Sequence, residues 1–271
     1  MQLIDIGINL MHRSFDRDRE GVILAAENAG VSPLIITGAS EQDSQAAARF
    51  AAQYGVKNPG KIYTTAGVHP HGAKNWTAST ADTLRKLAAE DALVAIGECG
   101  LDYNRDFSPR PVQRSCFEAQ VSLAAELGMP LFLHCRDAFD DFAAILRNSG
   151  APVKNKVVHC FTGTADELAT YLELGCFIGI TGWICDERRG RHLADLVKMI
   201  PPDRLMVETD APFLMPRDLP ADKSDSRFSR NESKYLVHIL RAIAGHLGRD
   251  PEQLARETYA NTVAFFNLPK R

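Results

Sequence analysis

The chain has 271 residues, 45% hydrophobic and 24% charged, an ordinary composition for a globular protein with a full core. Its net charge of −3 excludes a global cationic field for nucleic acid or anionic membrane, so a polyanion would have to be held locally, by a metal or a few arginines. The first residues lack a basic leader before an apolar core, and no apolar run approaches the roughly 18 residues of a membrane span. With six scattered cysteines and no CxxC pair, the chain reads as a cytoplasmic, thiol-reduced protein.

Along the chain, apolar runs alternate with amphipathic ones. LIDIGI (3–8) precedes the helical stretch 17–30, LIIT (34–37) precedes 41–55, and IYTTAGV (62–68) and LVAIG (93–97) follow. The helical pattern returns at 114–128, then come LFLH (131–134), KVVHC (156–160), a helix over 164–175, CFIGI (176–180) and LMVE (205–208). Continuous apolar runs suit strands covered on both faces, and several helical stretches end in glycine. Strands recurring about every thirty residues predict an α/β fold, a (β/α)8 TIM barrel spanning 1–271 as a single domain. The rival doubly wound sheet would bring a GxGxxG turn, which the sequence lacks. A mixed-charge loop (217–234) and two outer helices, 235–248 and 251–266, complete the chain.

The polar residues fall at strand ends: His69 and His71 after the third, Glu98 after the fourth, His134 after the fifth, His159 after the sixth, Glu208 and Asp210 after the eighth. In a barrel these ends share one rim, where imidazoles and carboxylates together make a hard-to-borderline metal site. His134 and His159 share the same apolar lead-in, which points to a matched pair. Blander readings stand beside this one. A single strand-end histidine serves as a hydrogen-bonded structural group, Glu98 as the partner of an arginine, and Asp210 as a capping turn before Ala-Pro. Glu208 shares a strand face with Asp210 and would orient a ligand from behind, whereas alternation turns Cys135 and Cys160 away from the rim.

The segments DIGINL, AGVHPH, IGECGLDY, FLHCRDA, VVHCFTGT, FIGITGW, VETDAPFL and SRNE, in this order, resemble the TatD family of metal-dependent deoxyribonucleases within the amidohydrolase-like barrels. The resemblance runs from Asp5 to about Glu232. It implies phosphodiester hydrolysis with one or two divalent cations, held by Glu98, His134, His159 and Asp210. The family's common His-x-His pair on the first strand reads Gly7 and Asn9 here, which favours a weakly held Mg²⁺, with Mn²⁺ or Zn²⁺ as alternatives at the histidines.

On that basis Asp210 is the candidate general base, and His69 and His71 hold phosphate or protonate the leaving oxygen. Glu98 is counted among the catalytic residues as well as the ligands. Arg136 either forks onto phosphate or pairs with Asp137. Tyr103, Phe161 and Trp183 stack on bases or simply pack, and Arg188, Arg189, Arg217, Arg227 and Arg230 are candidates to track the backbone. The 217–234 loop is nearly neutral, which disfavours a long duplex-binding surface. The resemblance likewise points to a 3′–5′ exonuclease on single-stranded DNA, with RNA as a further substrate, no membrane partner, a monomeric state and a role in DNA repair. A metal-dependent hydrolase of amide, lactone or aminoacyl-ester bonds is the alternative, though Glu98 stands where such barrels often carry a carboxylated lysine.

Overall fold

The computed structural model describes residues 1–149, 153, 155–219 and 230–269. The sheet order is β1 (Leu3–Ile8), β2 (Val31–Ile36), β3 (Ile62–Ala66), β4 (Leu93–Asp102), β5 (Leu131–Arg136), β6 (Lys156–Val158), β7 (Cys176–Ile180) and β8 (Leu205–Val207), each parallel to the next. Closure falls just past β8. There the Asp210 N–H donates to the Gly7 carbonyl at 2.8 Å, the Asn9 N–H donates to Ala211 at 2.8 Å, and Ile8 bridges Ala211 in parallel. The sheet is therefore the barrel that the alternating pattern predicts.

The outer helices are α1 (Arg19–Asn28), α2 (Glu41–Gly55), α3 (Ala78–Leu87), α4 (Arg110–Leu127), α5 (Phe139–Asn148), α6 (Ala165–Glu173), α7 (Leu193–Leu196), α8 (Leu236–Leu247) and α9 (Pro251–Phe266). Their starts and stops follow local chemistry. Ser40 and Thr164 cap α2 and α6 through their hydroxyls, and Gly128 and Gly248 end α4 and α8 in the left-handed conformation. The main apolar cluster lies between strands and helices. A second one joins Ile4, Ile6, Ile35, Phe132, Val157 and Met206 to Phe265 and Phe266 of α9, with no residue from α1–α8. It fills the barrel lumen. Asn155, just before β6, donates to the Phe265 carbonyl at 2.8 Å, so α9 closes the N-terminal end and the opposite rim stays open.

The fourth strand departs from the sequence reading. It continues to Asp102, so Glu98 sits inside it and not at its end. The pairing of β4 with β5 shifts register between Ile96 and Cys99, next to Gly97 at φ 134°. A Cβ on Gly97 would meet the Phe132 carbonyl oxygen at 2.1 Å, so only glycine lets β4 bend here and turn Glu98 into the rim. All six cysteines are free, and among the described residues no helix is long and apolar enough to cross a membrane.

Candidate metal centre

An open cavity of about 720 Å³ occupies the C-terminal rim and is bordered by Asn9, His69, His71, Glu98, His134, Arg136, His159 and Asp210. On its floor one carboxylate oxygen gathers three imidazoles. Glu98 Oε1 lies 3.4 Å from His69 Nε2, 3.0 Å from His134 Nδ1 and 2.9 Å from His159 Nε2. Burial alone would raise the Glu98 carboxyl, but the charge of His159 and the hydrogen bonds of His134 and His159 hold it well below its usual range. His69 moves the other way, since burial pushes its imidazole down to about 3 and keeps it neutral. Burial also disfavours charge on His159, yet Glu98 and Glu208 raise it well above the ordinary value. His134 is likewise raised, by Asp102 and Glu98 against its own burial. Burial pushes Asp210 up to about 7.

Ligand atoms of His69, Glu98 and His134 all lie within 4.8 Å of one another. His134 Nε2 is buried and has no hydrogen-bond partner, with Asp102 Oδ2 3.6 Å away. An orphaned imidazole nitrogen, a neutral His69 and a fully ionised carboxylate form an N/O donor set that fits a divalent cation. His69, expected to hold phosphate, thus stands in the donor cluster itself.

Residues behind the donors hold them in place. Glu208 is completely buried; its Oε2 lies 3.3 Å from His159 Nδ1 and its Oε1 accepts the Cys160 N–H. Asn9 Nδ2 donates to Asp210 Oδ1 at 2.9 Å. Asp102, which the sequence reading passed over, lies 2.8 Å from His71 Nε2 and accepts the backbone N–H groups of Asn104 and Arg105. The continuous apolar run stops at Gly97, so the sequence pattern did not mark Asp102 as part of the strand.

Other expectations divide. Arg136 is exposed at the cavity edge and pairs with no carboxylate among the described residues, while Asp137 takes a 2.7 Å hydrogen bond from Asn104. Trp183 and Arg189 also border the cavity, with the guanidinium 5.7 Å from the indole centroid. Phe161 borders it but is buried against Tyr171. Tyr103 is turned aside, its hydroxyl donating to Asp141 at 2.5 Å and its ring covered by Arg110. Arg230 is committed elsewhere, to Asp18, Glu232, the Ser14 carbonyl and the face of Phe15. Arg188 and Arg217 share Asp186, and Arg227 lies outside the described residues. Cys135 and Cys160 both border the cavity, contrary to alternation. β6 ends at Val158, and Cys160 at φ 47° has left the strand geometry on which that expectation rested.

A (β/α)8 barrel with a histidine–carboxylate centre on its C-terminal rim has the architecture of a metal-dependent hydrolase. The family model described as TatD related DNase matches residues 4–267, and the chain belongs to that family. The protein named 3′-5′ ssDNA/RNA exonuclease TatD from Erwinia billingiae (strain Eb661) is 49% identical over 267 residues, covering 98% of this chain and all of that one. Its namesake from Erwinia tasmaniensis is 50% identical over 266 residues, with the same coverage. Among solved structures, a TatD family hydrolase from Entamoeba histolytica superposes with a TM-score of 0.87 at 28% identity, over 99% of each chain.

Proposed function

We propose that this protein is a divalent-cation-dependent 3′–5′ exonuclease that shortens single-stranded DNA or RNA. The observation that carries this reading is the convergence of His69, His134 and His159 on Glu98 Oε1 at the floor of an open rim cavity, in a member of the TatD related DNase family.

Glu98, His134, His159 and Asp210 would hold the cation, with His69 in reach of the same set. Mg²⁺ is the favoured occupant because the missing first-strand histidines weaken the claim of a tight zinc pair. When bound, the ion supplies a Lewis acid for a phosphate oxygen and makes water easier to deprotonate. Asp210, at the edge of the cation set and facing the cavity, accepts the attacking water's proton. Its Oδ1 is fixed by Asn9 while the other oxygen remains available. Glu208 fixes the ring of His159 from behind. His71, anchored by Asp102, faces the cavity and protonates or steadies the leaving oxygen. Arg136 forks onto phosphate oxygens from the exposed edge. Trp183 offers a surface for a terminal base.

The test is direct. Single-stranded DNA labelled at its 5′ end, incubated with the protein and Mg²⁺, should give a ladder shortening from the 3′ end, and chelator should stop it. Intact DNA with Mg²⁺, Mn²⁺ and Zn²⁺ alike would refute the reading.

A further inference from the structure

Three donors of different chemistry meet away from the cavity floor. Cys185 lies in the turn after β7, Asp218 in the segment after β8, and His238 in the first turn of α8. One ligand atom from each lies within 4.8 Å of the other two, and His238 Nε2 is 2.7 Å from Asp218 Oδ1. We propose that Cys185, Asp218 and His238 form a second, independent site for one cation of the Zn²⁺ class, with water as the fourth ligand.

The donor types decide the class of ion. A thiolate with an imidazole and a carboxylate suits a borderline cation, whereas Mg²⁺ has no use for sulfur. This separates the site chemically from the cavity floor, where every donor is nitrogen or oxygen. Tetrahedral zinc with bonds of roughly 2.0–2.3 Å places its ligand atoms roughly 3.3–3.7 Å apart. The His238–Asp218 hydrogen bond would open by about 1 Å or less, and Cys185 Sγ, already within 4.8 Å of both, would have at most a similar distance to close.

The scaffold around these donors is fixed. A Cβ on Gly182 would meet the Leu214 carbonyl oxygen at 2.3 Å and Pro216 Cγ at 3.3 Å, so the turn after β7 and the segment after β8 lie back to back. The neighbouring Arg188 and Arg217 are both directed at Asp186, at 3.6 and 3.8 Å, and among the described residues the ion partner of Asp218 is His238. Asp218 is half exposed, which gives an ion a way in, while Cys185 is buried at the inner end. Without a cation, burial and the Asp218 carboxylate keep the Cys185 thiol protonated, up to about 12. Binding would replace S–H by S–metal and release that proton to solvent. The occupied site would tie the turn after β7, which carries Trp183, to the segment after β8 and to α8.

Cobalt(II) titration of the reduced, full-length protein tests this, because cobalt bound to thiolate gives a near-ultraviolet charge-transfer band. Wild type should show the band, saturating at one thiolate-bound ion per chain and bleached by Zn²⁺. Cys185→Ser should abolish it, and His238→Asn should weaken binding by at least about tenfold. Cys160→Ser and Cys135→Ser, which remove the thiols bordering the cavity, and Glu98→Ala should all keep it. Circular dichroism confirms that each variant is folded. No band in wild type, or a band that vanishes with Cys160 and survives Cys185→Ser, would overturn the assignment.

Discussion

The carboxylate of Glu208 occupies the volume that a side chain at position 7 would need: a Cβ on Gly7 falls 2.5 Å from Glu208 Oε2. That same oxygen lies 3.3 Å from His159 Nδ1, and the other Glu208 oxygen accepts the Cys160 N–H. The first strand's missing ligand is thus coupled to the orientation of a ligand on the sixth. Glu208 can stand behind His159 because position 7 is glycine.

Gly7→Ala should therefore cost about 1–3 kcal/mol by overpacking, since Phe132 Cζ closes the other side at 3.1 Å. It should also weaken divalent-cation binding about 10–100-fold as Glu208 is driven off His159. Combining it with Glu208→Asp, which shortens the side chain, should recover part of the stability loss in denaturant titrations. Strict additivity would mean that the two positions are not in contact.

Asp102 is a positioning residue for two histidines, at 2.8 Å from His71 Nε2 and 3.6 Å from His134 Nε2. It also pins the following turn through the Asn104 and Arg105 N–H groups. Asp102→Asn should lower kcat about 10–100-fold and alter the pH profile of the rate, because His134, whose imidazole Asp102 helps to raise, loses that anionic partner. A purely structural Asp102 would instead lower stability and leave the pH profile of the surviving activity unchanged.

The strand-end histidines were legible because apolar runs such as PLFLHC and VVHCF fix both the strand and the end on which its last residues sit. Asp102 was not, because the register shift beside Gly97 lengthens β4 past the point where the apolar pattern stops. Side-chain direction outside strands was equally hidden. Cys160 turns to the cavity through a positive φ that no alternation rule supplies, and Arg230 finds Asp18 across more than two hundred residues of sequence. Residue type and spacing thus located the ligand ring, while the partners that orient it depended on tertiary contacts.

Two of the arginines considered for substrate, Arg136 and Arg230, should separate in kinetics. Arg136 is exposed at the cavity edge with no carboxylate partner among the described residues, so Arg136→Ala should raise KM about tenfold, near 1.4 kcal/mol, with little change in kcat. Arg230 is held by Asp18 and Glu232, so Arg230→Ala should leave KM in place and cost about 1–3 kcal/mol of stability. Unfolding titrations and initial rates on the same preparations check both. A large KM effect from Arg230 would place its side chain in the cavity during turnover.

Asp5 offers a pH test at the seam of the barrel, behind the strand end that carries Asp210. Its carboxyl is completely buried beneath the barrel closure and accepts from Thr209 N–H at 2.9 Å, Thr209 Oγ1 at 2.6 Å, Ser233 Oγ at 2.7 Å and Gly7 N–H at 3.3 Å. Burial outweighs these four donors and raises its pKa from 3.8 to about 6. Between those values the folded chain holds a proton that the unfolded chain has released, so stability from this group is full below 3.8 and is lost as pH rises through about 6. At roughly 1.4 kcal/mol per pH unit, the loss is about 3 kcal/mol. Asp5→Asn does not titrate, so the stability of wild type minus variant isolates the effect from oppositely shifted carboxyls such as Glu98. That difference should fall by about 2.4 kcal/mol between pH 4 and pH 7 in denaturant titrations. If it stays flat, the four donors keep Asp5 ionised throughout, and burial is the weaker force at the seam of the barrel.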